Sequence, residues 1–95
     1  MIDFSRKRIQ DICNQNGITY LGVFGSFSRG EENPGSDIDL LVDFDSVKSL
    51  FELVHIENTF TNILGKPVDL VLKKNLKKRI EPYVLKDLKT LYEKR

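Results

Sequence analysis

A buried strand with a charged end is the feature that most constrains what this chain can fold into. From Asp37 to Phe44 the sequence alternates charged and apolar residues and then becomes continuously apolar from Leu40 to Val42. This pattern is typical of a central strand with one polar end. A second segment rich in β-branched and aromatic residues, Ile18 to Phe24, is bounded by glycines and predicts another strand. We expect these two strands to pair.

Two helices are predicted from periodicity and from their ends. Apolar residues recur at helical spacing between Ser5 and Gln15, which predicts the first helix. The second begins after Ser49, because Ser49 and Glu52 have the spacing of a capping box. An apolar stripe follows, and Gly65 provides the stop. This second helix is the better defined of the two.

The last third of the chain adds a strand and a third helix. The segment Val68 to Leu72 is apolar except for Asp69, which predicts a short strand. Periodicity then predicts a helix over roughly Leu76 to Asp87, with Pro82 in its first turns. The segment Leu88 to Tyr92 fits either an edge strand or a continuation of that helix, and periodicity leaves both open.

The length and the order of elements predict one domain over residues 1–95. Its 95 residues, 40% of them apolar, suffice for a single modest core and leave little room for an enclosed substrate cavity. A partner is therefore expected to contribute part of any active site. The fold class is α/β (α+β), with a short mixed sheet and helices packed on one face.

The cysteine count and the absence of long apolar runs indicate a compartment. Cys13 is the only cysteine, so no intramolecular disulfide can form and metal binding through thiols is not expected. The residues Met1 to Asp11 contain no apolar signal region, and no apolar run of membrane-spanning length follows. We expect a cytoplasmic protein that does not contact the membrane.

The charges are segregated along the chain although their sum is only +1. Residues 31–69 carry two basic and nine acidic side chains, and residues 70–95 carry nine basic and three acidic ones. This asymmetry suggests a site that collects cations and a surface for an anionic partner, although two solvated surfaces would produce the same count. The densest basic cluster, Lys73 to Arg79, has no interleaved aromatic residue for stacking bases. A solvated or partner-facing segment is therefore expected, with nucleic-acid binding as an open alternative.

Two aspartates on the central strand predict a metal site. Asp37 and Asp39 are two residues apart, so their side chains project to one face, about 6.5 to 7 Å apart at the backbone. Two such carboxylates repel each other unless a cation lies between them, and hard oxygen ligands suit Mg²⁺ or Mn²⁺. If the strand Val68 to Leu72 lies beside the central strand, Asp69 completes a set that can support two ions. Any one of these aspartates alone is more typical of an exposed strand residue than of a metal ligand, and the metal site is predicted from the three together.

A small-residue loop follows the first strand and predicts a phosphate site. Gly25 and Ser26 lie where the strand ends, where backbone N–H groups and the serine hydroxyl can meet phosphate oxygens. Arg29 can bind a phosphate, or it can pair with Glu31, Glu32 or an active-site aspartate. The glycine spacing matches neither the dinucleotide-binding nor the Walker pattern.

These motifs together resemble the signature of the minimal nucleotidyltransferases of the DNA polymerase beta-like superfamily. That signature reads G-S-x-A-R-G, then S-D-x-D-L, with a third aspartate on a later strand. The matching residues are Gly25-Ser26, Arg29-Gly30, Ser36-Asp37, Asp39-Leu40 and Val68-Asp69-Leu70. One departure is Ser28, where alanine is usual. The resemblance implies the polymerase beta-like nucleotidyltransferase fold.

The resemblance also implies roles for these residues in nucleotidyl transfer. An acceptor oxygen would attack the α-phosphate of ATP, and pyrophosphate would leave. Asp37 and Asp39 would hold Mg²⁺, with two ions expected, and Asp69 would complete the metal set and help position or deprotonate the acceptor. The nucleotide-binding residues implied are Gly25, Ser26, Arg29 and Ser36.

Small members of this family commonly act as antitoxins, which implies a partner. The partner would be a HEPN-domain ribonuclease toxin that forms a hetero-oligomer with this chain, and the reaction would move AMP from ATP to a toxin tyrosine. Two alternatives stay open. One is a catalytically silent antitoxin that neutralises its toxin by binding alone, and the other is nucleotidyl transfer to a small-molecule acceptor.

Overall fold

The computed structural model describes residues 6–31 and 35–94, and it places three α-helices and four strands in that part of the chain. In chain order they are α1 Arg6–Gln15, β1 Ile18–Phe24, β2 Ile38–Phe44, α2 Leu50–Leu64, β3 Val68–Leu72, a short 3-10 helix Lys73–Asn75, α3 Glu81–Asp87 and β4 Lys89–Glu93. Ser5, where the first helix was predicted to begin, lies outside the described residues. Over the described ranges no helix is both long and apolar enough to cross a membrane.

The four strands form one mixed sheet in the order β3-β2-β1-β4. β1 pairs antiparallel with β2 and with β4, and β2 pairs parallel with β3. The predicted pairing of the first two strands is therefore confirmed. The segment after α3, which periodicity left open, is an edge strand. The register places Asp39 opposite Phe24 on one side and opposite Asp69 on the other.

The main core lies between the sheet and the helices α1 and α2. Side chains of α1 and α2 pack against alternate residues of the central strands, because successive residues of a strand face opposite sides of the sheet. Phe60 is fully buried at the centre of this layer. The buried residues of this core are Ile9, Ile12, Cys13, Ile18, Leu21, Val23, Ile38, Leu40, Val42, Ile56, Phe60, Leu64 and Val68.

The opposite face of the sheet carries a second, smaller core under α3. Tyr20 and Leu41 are buried there with Val84 of α3. The mixed sheet is confirmed, but the prediction that the helices pack on one face is wrong for α3. The physical reason lies in β1 and β2, which are apolar on both faces, so that the second face also needs a cover.

The ends of the helices show which local sequence signals determine where each helix begins and ends. The capping box of α2 is formed, and Gly65 ends that helix in the left-handed region at φ +75°. The third helix begins at Glu81 and not at Leu76, which has extended backbone angles. Pro82 explains the difference. In a helix that began at Leu76 it would be an interior residue, with no N–H to donate and a ring that clashes with the preceding turn.

Candidate active site

The structure brings the three predicted aspartates to one edge of the sheet. Asp39 and Asp69 are register partners on the parallel strands β2 and β3, which lie about 4.8 Å apart. Asp37 comes directly before β2 and is two residues from Asp39, so both project to the same face. It is the face that also carries Leu41 and α3.

The charges of the other two carboxylates act on Asp39. The pKa of Asp39 is raised by partial burial and, to a smaller extent, by the negative charges of Asp69 and Asp37. Asp37 and Asp69 are exposed to solvent. A cation bound among the three would relieve the repulsion that disfavours the charged form of Asp39.

The donor chemistry of this set fits a hard divalent cation that is shared with a substrate. Carboxylate oxygens are the ligands that Mg²⁺ and Mn²⁺ prefer. In the part of the chain that the structure describes, no three acidic, histidine or cysteine side chains stand close enough together to hold an ion by themselves. Mg²⁺ is usually bound by one or two carboxylates together with water and substrate phosphates, which is what this open arrangement suits.

The loop after β1 forms a tight turn beside the aspartates. Gly25 has φ +78°, a conformation that glycine adopts without steric cost. Three backbone hydrogen bonds close the turn, in which Arg29 N donates to Gly25 O at 3.2 Å, Gly30 N to Phe27 O at 3.2 Å and Glu31 N to Ser26 O at 2.9 Å. The N–H groups at the start of such a turn point away from it, as at the beginning of a helix. These are the groups predicted to meet phosphate oxygens.

Gly25 and Asp39 are in close approach. A Cβ built on Gly25 would lie 2.5 Å from Oδ2 of Asp39, closer than side chains tolerate. The absence of a side chain at this position therefore allows the turn to sit directly against the carboxylate. The turn predicted to bind phosphate and the carboxylate predicted to bind a metal ion are therefore adjacent.

Arg29 is engaged by two carboxylates. Its Nε donates to Glu31 Oε1 at 2.8 Å, and its Nη1 donates to Asp87 Oδ2 at 2.5 Å. Hydrogen bonds with Glu31 and Asp87 raise the pKa of the guanidinium. The pairing with Glu31 is confirmed, and Glu32 lies outside the described residues. Asp87 was not predicted, because it is 58 residues away along the chain and no local pattern links the two.

The remaining candidate residues differ in how far their side chains are buried. Ser26 and Ser36 are partly buried, and their part in nucleotide binding stays a prediction. Cys13 is buried, as predicted, and burial raises the pKa of its thiol to about 12. Along the basic segment, Lys73 places its ammonium 4.6 Å from the ring centroid of Tyr20. All basic side chains of that segment, Lys73 included, are exposed.

Comparison with known proteins gives the family. Residues 7–95 match the Polymerase beta nucleotidyltransferase family. The chain is 43% identical to the protein adenylyltransferase MntA of Thermococcus cleftensis over 79 residues, which cover 83% of this chain and 80% of that protein. This match includes most of both sequences.

Two solved structures share the fold. One is a candidate minimal nucleotidyltransferase, with 32% identity and a TM-score of 0.75 over 88% of this chain and 86% of the other. The second is from the complex of a tri-AMPylated Shewanella oneidensis HEPN toxin with an MNT antitoxin, with 20% identity and a TM-score of 0.69 over 93% of this chain and 69% of the other. The expected polymerase beta-like fold is confirmed, and the chain belongs to the Polymerase beta nucleotidyltransferase family.

Proposed function

We propose that this chain is a Mg²⁺-dependent nucleotidyltransferase that transfers AMP from ATP to a tyrosine of a partner HEPN toxin and so acts as its antitoxin. The observation that carries the proposal is the close approach of the Gly25 turn to Asp39, with Asp69 in register beside it. A phosphate-binding turn in contact with a carboxylate set is the arrangement that phosphoryl chemistry on a nucleotide needs.

Each residue of the site has a role in the proposed reaction. Asp37 and Asp39 would hold Mg²⁺, with two ions expected, and Asp69 would complete the set. When bound, the metal would supply positive charge against the triphosphate oxygens. Gly25, Ser26 and Ser36 bind the phosphates. The acceptor oxygen forms a bond to the α-phosphorus, and the bond to the bridging oxygen of pyrophosphate breaks. Asp69 accepts the proton of the acceptor hydroxyl.

A protein acceptor is favoured by the open site. Asp37 and Asp69 are exposed at the sheet edge, so a side chain carried by another protein can reach them. A relative is named a protein adenylyltransferase, and a structural neighbour comes from a complex that contains an AMPylated toxin. Both support a macromolecular acceptor. The cytoplasm is the compartment we propose, since it supplies ATP and keeps the single thiol of Cys13 reduced.

The experiment that tests the proposal follows two labels of ATP into the partner. The protein is incubated with Mg²⁺, a HEPN protein from the same cell, and ATP labelled at either the α or the γ position. Asp39→Asn removes a charge from the carboxylate set while preserving its shape. Asp43→Asn is the matched control, because Asp43 lies on the same strand and face but at the other end of β2, opposite Tyr20.

The labels separate the reaction classes. We expect α label on the partner with the wild-type protein and with Asp43→Asn, and none with Asp39→Asn. Label from the γ position would indicate phosphoryl transfer and contradict the proposal. A complex that forms without label would favour the silent antitoxin, and label in a small-molecule fraction would favour the small-molecule acceptor.

A further inference from the structure

Two contacts join the C-terminal end of α3 to the glycine turn. The side chain of Asp87 accepts a hydrogen bond from Arg29 Nη1 at 2.5 Å. The hydroxyl of Ser28 donates to the backbone carbonyl of the same aspartate. Ser28 is 8% exposed and the Asp87 side chain 15% exposed, whereas the Arg29 side chain is 43% exposed, so the two contacts are shielded from water on the Asp87 side and the guanidinium is partly open to it. One residue therefore holds two successive residues of the turn.

Asp87 is itself held by the sheet. Val84, one turn earlier in α3, is buried against Tyr20 and Leu41. The next residue, Leu88, packs so closely on Gly22 of β1 that a Cβ there would lie 2.7 Å from its Cδ1. The aspartate is thus fixed on both sides along the chain, whereas the turn is closed by its own backbone hydrogen bonds. Through Asp87, the packed end of α3 stabilises the turn Gly25–Gly30.

The two carboxylates that bind Arg29 differ in their surroundings. Glu31 is 59% exposed, and its pairing with Arg29 is an exposed ion pair of the kind that contributes little. The Asp87 carboxylate is the less exposed of the two, and its hydrogen bond with Arg29 is the shorter, at 2.5 Å against 2.8 Å for Glu31. The guanidinium is thus bound both within the turn and from α3. Ser28, at a position where alanine is usual, adds a second connection to the same residue.

We infer that Asp87 is a positioning residue for the nucleotide: through Arg29 and Ser28 it holds the turn Gly25–Gly30 in the shape that receives the phosphates of ATP. This role rests on the proposed function. Asp87 acts through two neighbours and makes no contact with the nucleotide. In this arrangement Arg29 stabilises the turn and is not a phosphate ligand.

The alternative role of Arg29, that of a phosphate ligand, predicts the opposite effect of Asp87→Asn on ATP binding. Suppose that Arg29 is a phosphate ligand and that Asp87 only pairs with it while no nucleotide is bound. Removing the charge of Asp87 would then release the guanidinium. ATP would bind as tightly as before or more tightly. If Asp87 positions the turn, its loss weakens binding.

The first test measures binding of Mg·ATP by titration calorimetry to the wild-type protein and to four variants. They are Asp87→Asn, Arg29→Gln, the double variant, and Glu31→Gln as the matched control. We expect Asp87→Asn and Arg29→Gln each to weaken binding about tenfold, the scale of a hydrogen bond between charged groups. The double variant should be no weaker than either single one, because both act in one unit. The control should stay within about twofold. Unchanged or tighter binding by Asp87→Asn would overturn the inference.

A second test needs no nucleotide. Hydrogen exchange of the backbone amides of Arg29, Gly30 and Glu31, which close the turn, reports its order directly. We expect faster exchange of these amides in Asp87→Asn, with the amides of α2 unchanged. Ser28→Ala keeps Asp87 and should loosen the turn to a smaller extent, which covers the case in which Asp87→Asn does not fold. Unchanged exchange in the turn would contradict the role of Asp87, whereas a wild-type protein that binds no ATP would contradict the proposed function.

Discussion

Gly25 and Asp39 belong to different strand ends of the same sheet, yet a single added carbon would bring them into collision. A Cβ on Gly25 would lie 2.5 Å from Oδ2 of Asp39. The antiparallel register explains the proximity, because Phe24, the last residue of β1, lies opposite Asp39. The pairing of two strands thus places the Gly25 turn, for which we propose phosphate binding, against Asp39, for which we propose metal binding.

Replacing Gly25 by alanine should damage both stability and activity. Its φ of +78° costs a residue with a side chain about 1 to 2 kcal/mol, and the new carbon collides with Asp39 in addition. Gly30→Ala is the matched control, since Gly30 has φ +73° but nothing within 4 Å of a Cβ. We expect Gly25→Ala to lose at least tenfold more transferase activity than Gly30→Ala, measured on folded protein. Equal losses would show that the contact with Asp39 has no effect.

Phe60 should dominate the stability of α2. It is fully buried in the main core, so Phe60→Ala should cost about 3 to 5 kcal/mol in the free energy of unfolding. Phe51 lies on the same helix and is 87% exposed. Phe51→Ala should therefore change stability by no more than about 0.5 kcal/mol. Urea unfolding followed by circular dichroism measures both, and similar costs for the two would contradict the placement of α2.

The capping box of α2 should make part of the stability depend on pH. Hydrogen bonds with the backbone and side chain of Ser49 lower the pKa of Glu52 below its ordinary value. A carboxyl whose pKa is lower in the folded state stabilises the protein above its unfolded pKa and loses this contribution as the pH falls through the folded pKa. The difference in unfolding free energy between the wild type and Glu52→Gln should therefore shrink from about pH 7 to about pH 3. A difference in unfolding free energy that does not change with pH would contradict the capping box.

Removing the serine of the capping box should lower the free energy of unfolding at neutral pH. Ser49→Ala leaves the amide of Glu52 without its side-chain acceptor, which costs about 1 kcal/mol. Ser46→Ala, an exposed serine in the preceding loop, is the control and should be nearly neutral. Thermal unfolding of both variants measures the difference, and an equally stable Ser49→Ala protein would count against the cap.

Cys13 should be unreactive in the folded protein. With a pKa of about 12, the thiol is ionised in about one molecule in ten thousand at pH 8, and only the thiolate attacks alkylating reagents. We expect labelling by a chromogenic disulfide reagent only when denaturant unfolds the chain. Rapid labelling without denaturant would show that α1 does not cover the thiol.

The elements that the sequence predicts correctly are those with local signals. Ser49 and Glu52 mark the start of α2 and Gly65 marks its end. The apolar segments of β1 and β2 define two strands, and the sheet confirms that they pair. The position of Asp69 beside Asp39 followed from one topological assumption, the adjacency of the two strands, which the sheet order confirms.

What could not be predicted depends on contacts between distant residues. The start of α3 was misplaced because periodicity favoured Leu76 while the backbone requirements of Pro82 prevailed. The face on which α3 packs depends on which apolar residues of β1 and β2 remain uncovered, and that is a property of the assembled sheet. The partnership of Arg29 with Asp87 spans 58 residues and has no local signal.

The central claim is that the aspartate set transfers adenylate to a partner protein, and the mass of that partner tests it most directly. The HEPN partner is produced together with the wild-type chain, with Asp39→Asn or with Asp43→Asn, and its intact mass and ribonuclease activity are measured. We expect a gain of one or more adenylate groups and loss of ribonuclease activity with the wild type and with Asp43→Asn, but an unmodified partner with Asp39→Asn. A partner that the wild-type chain neutralises without any gain in mass would contradict the account.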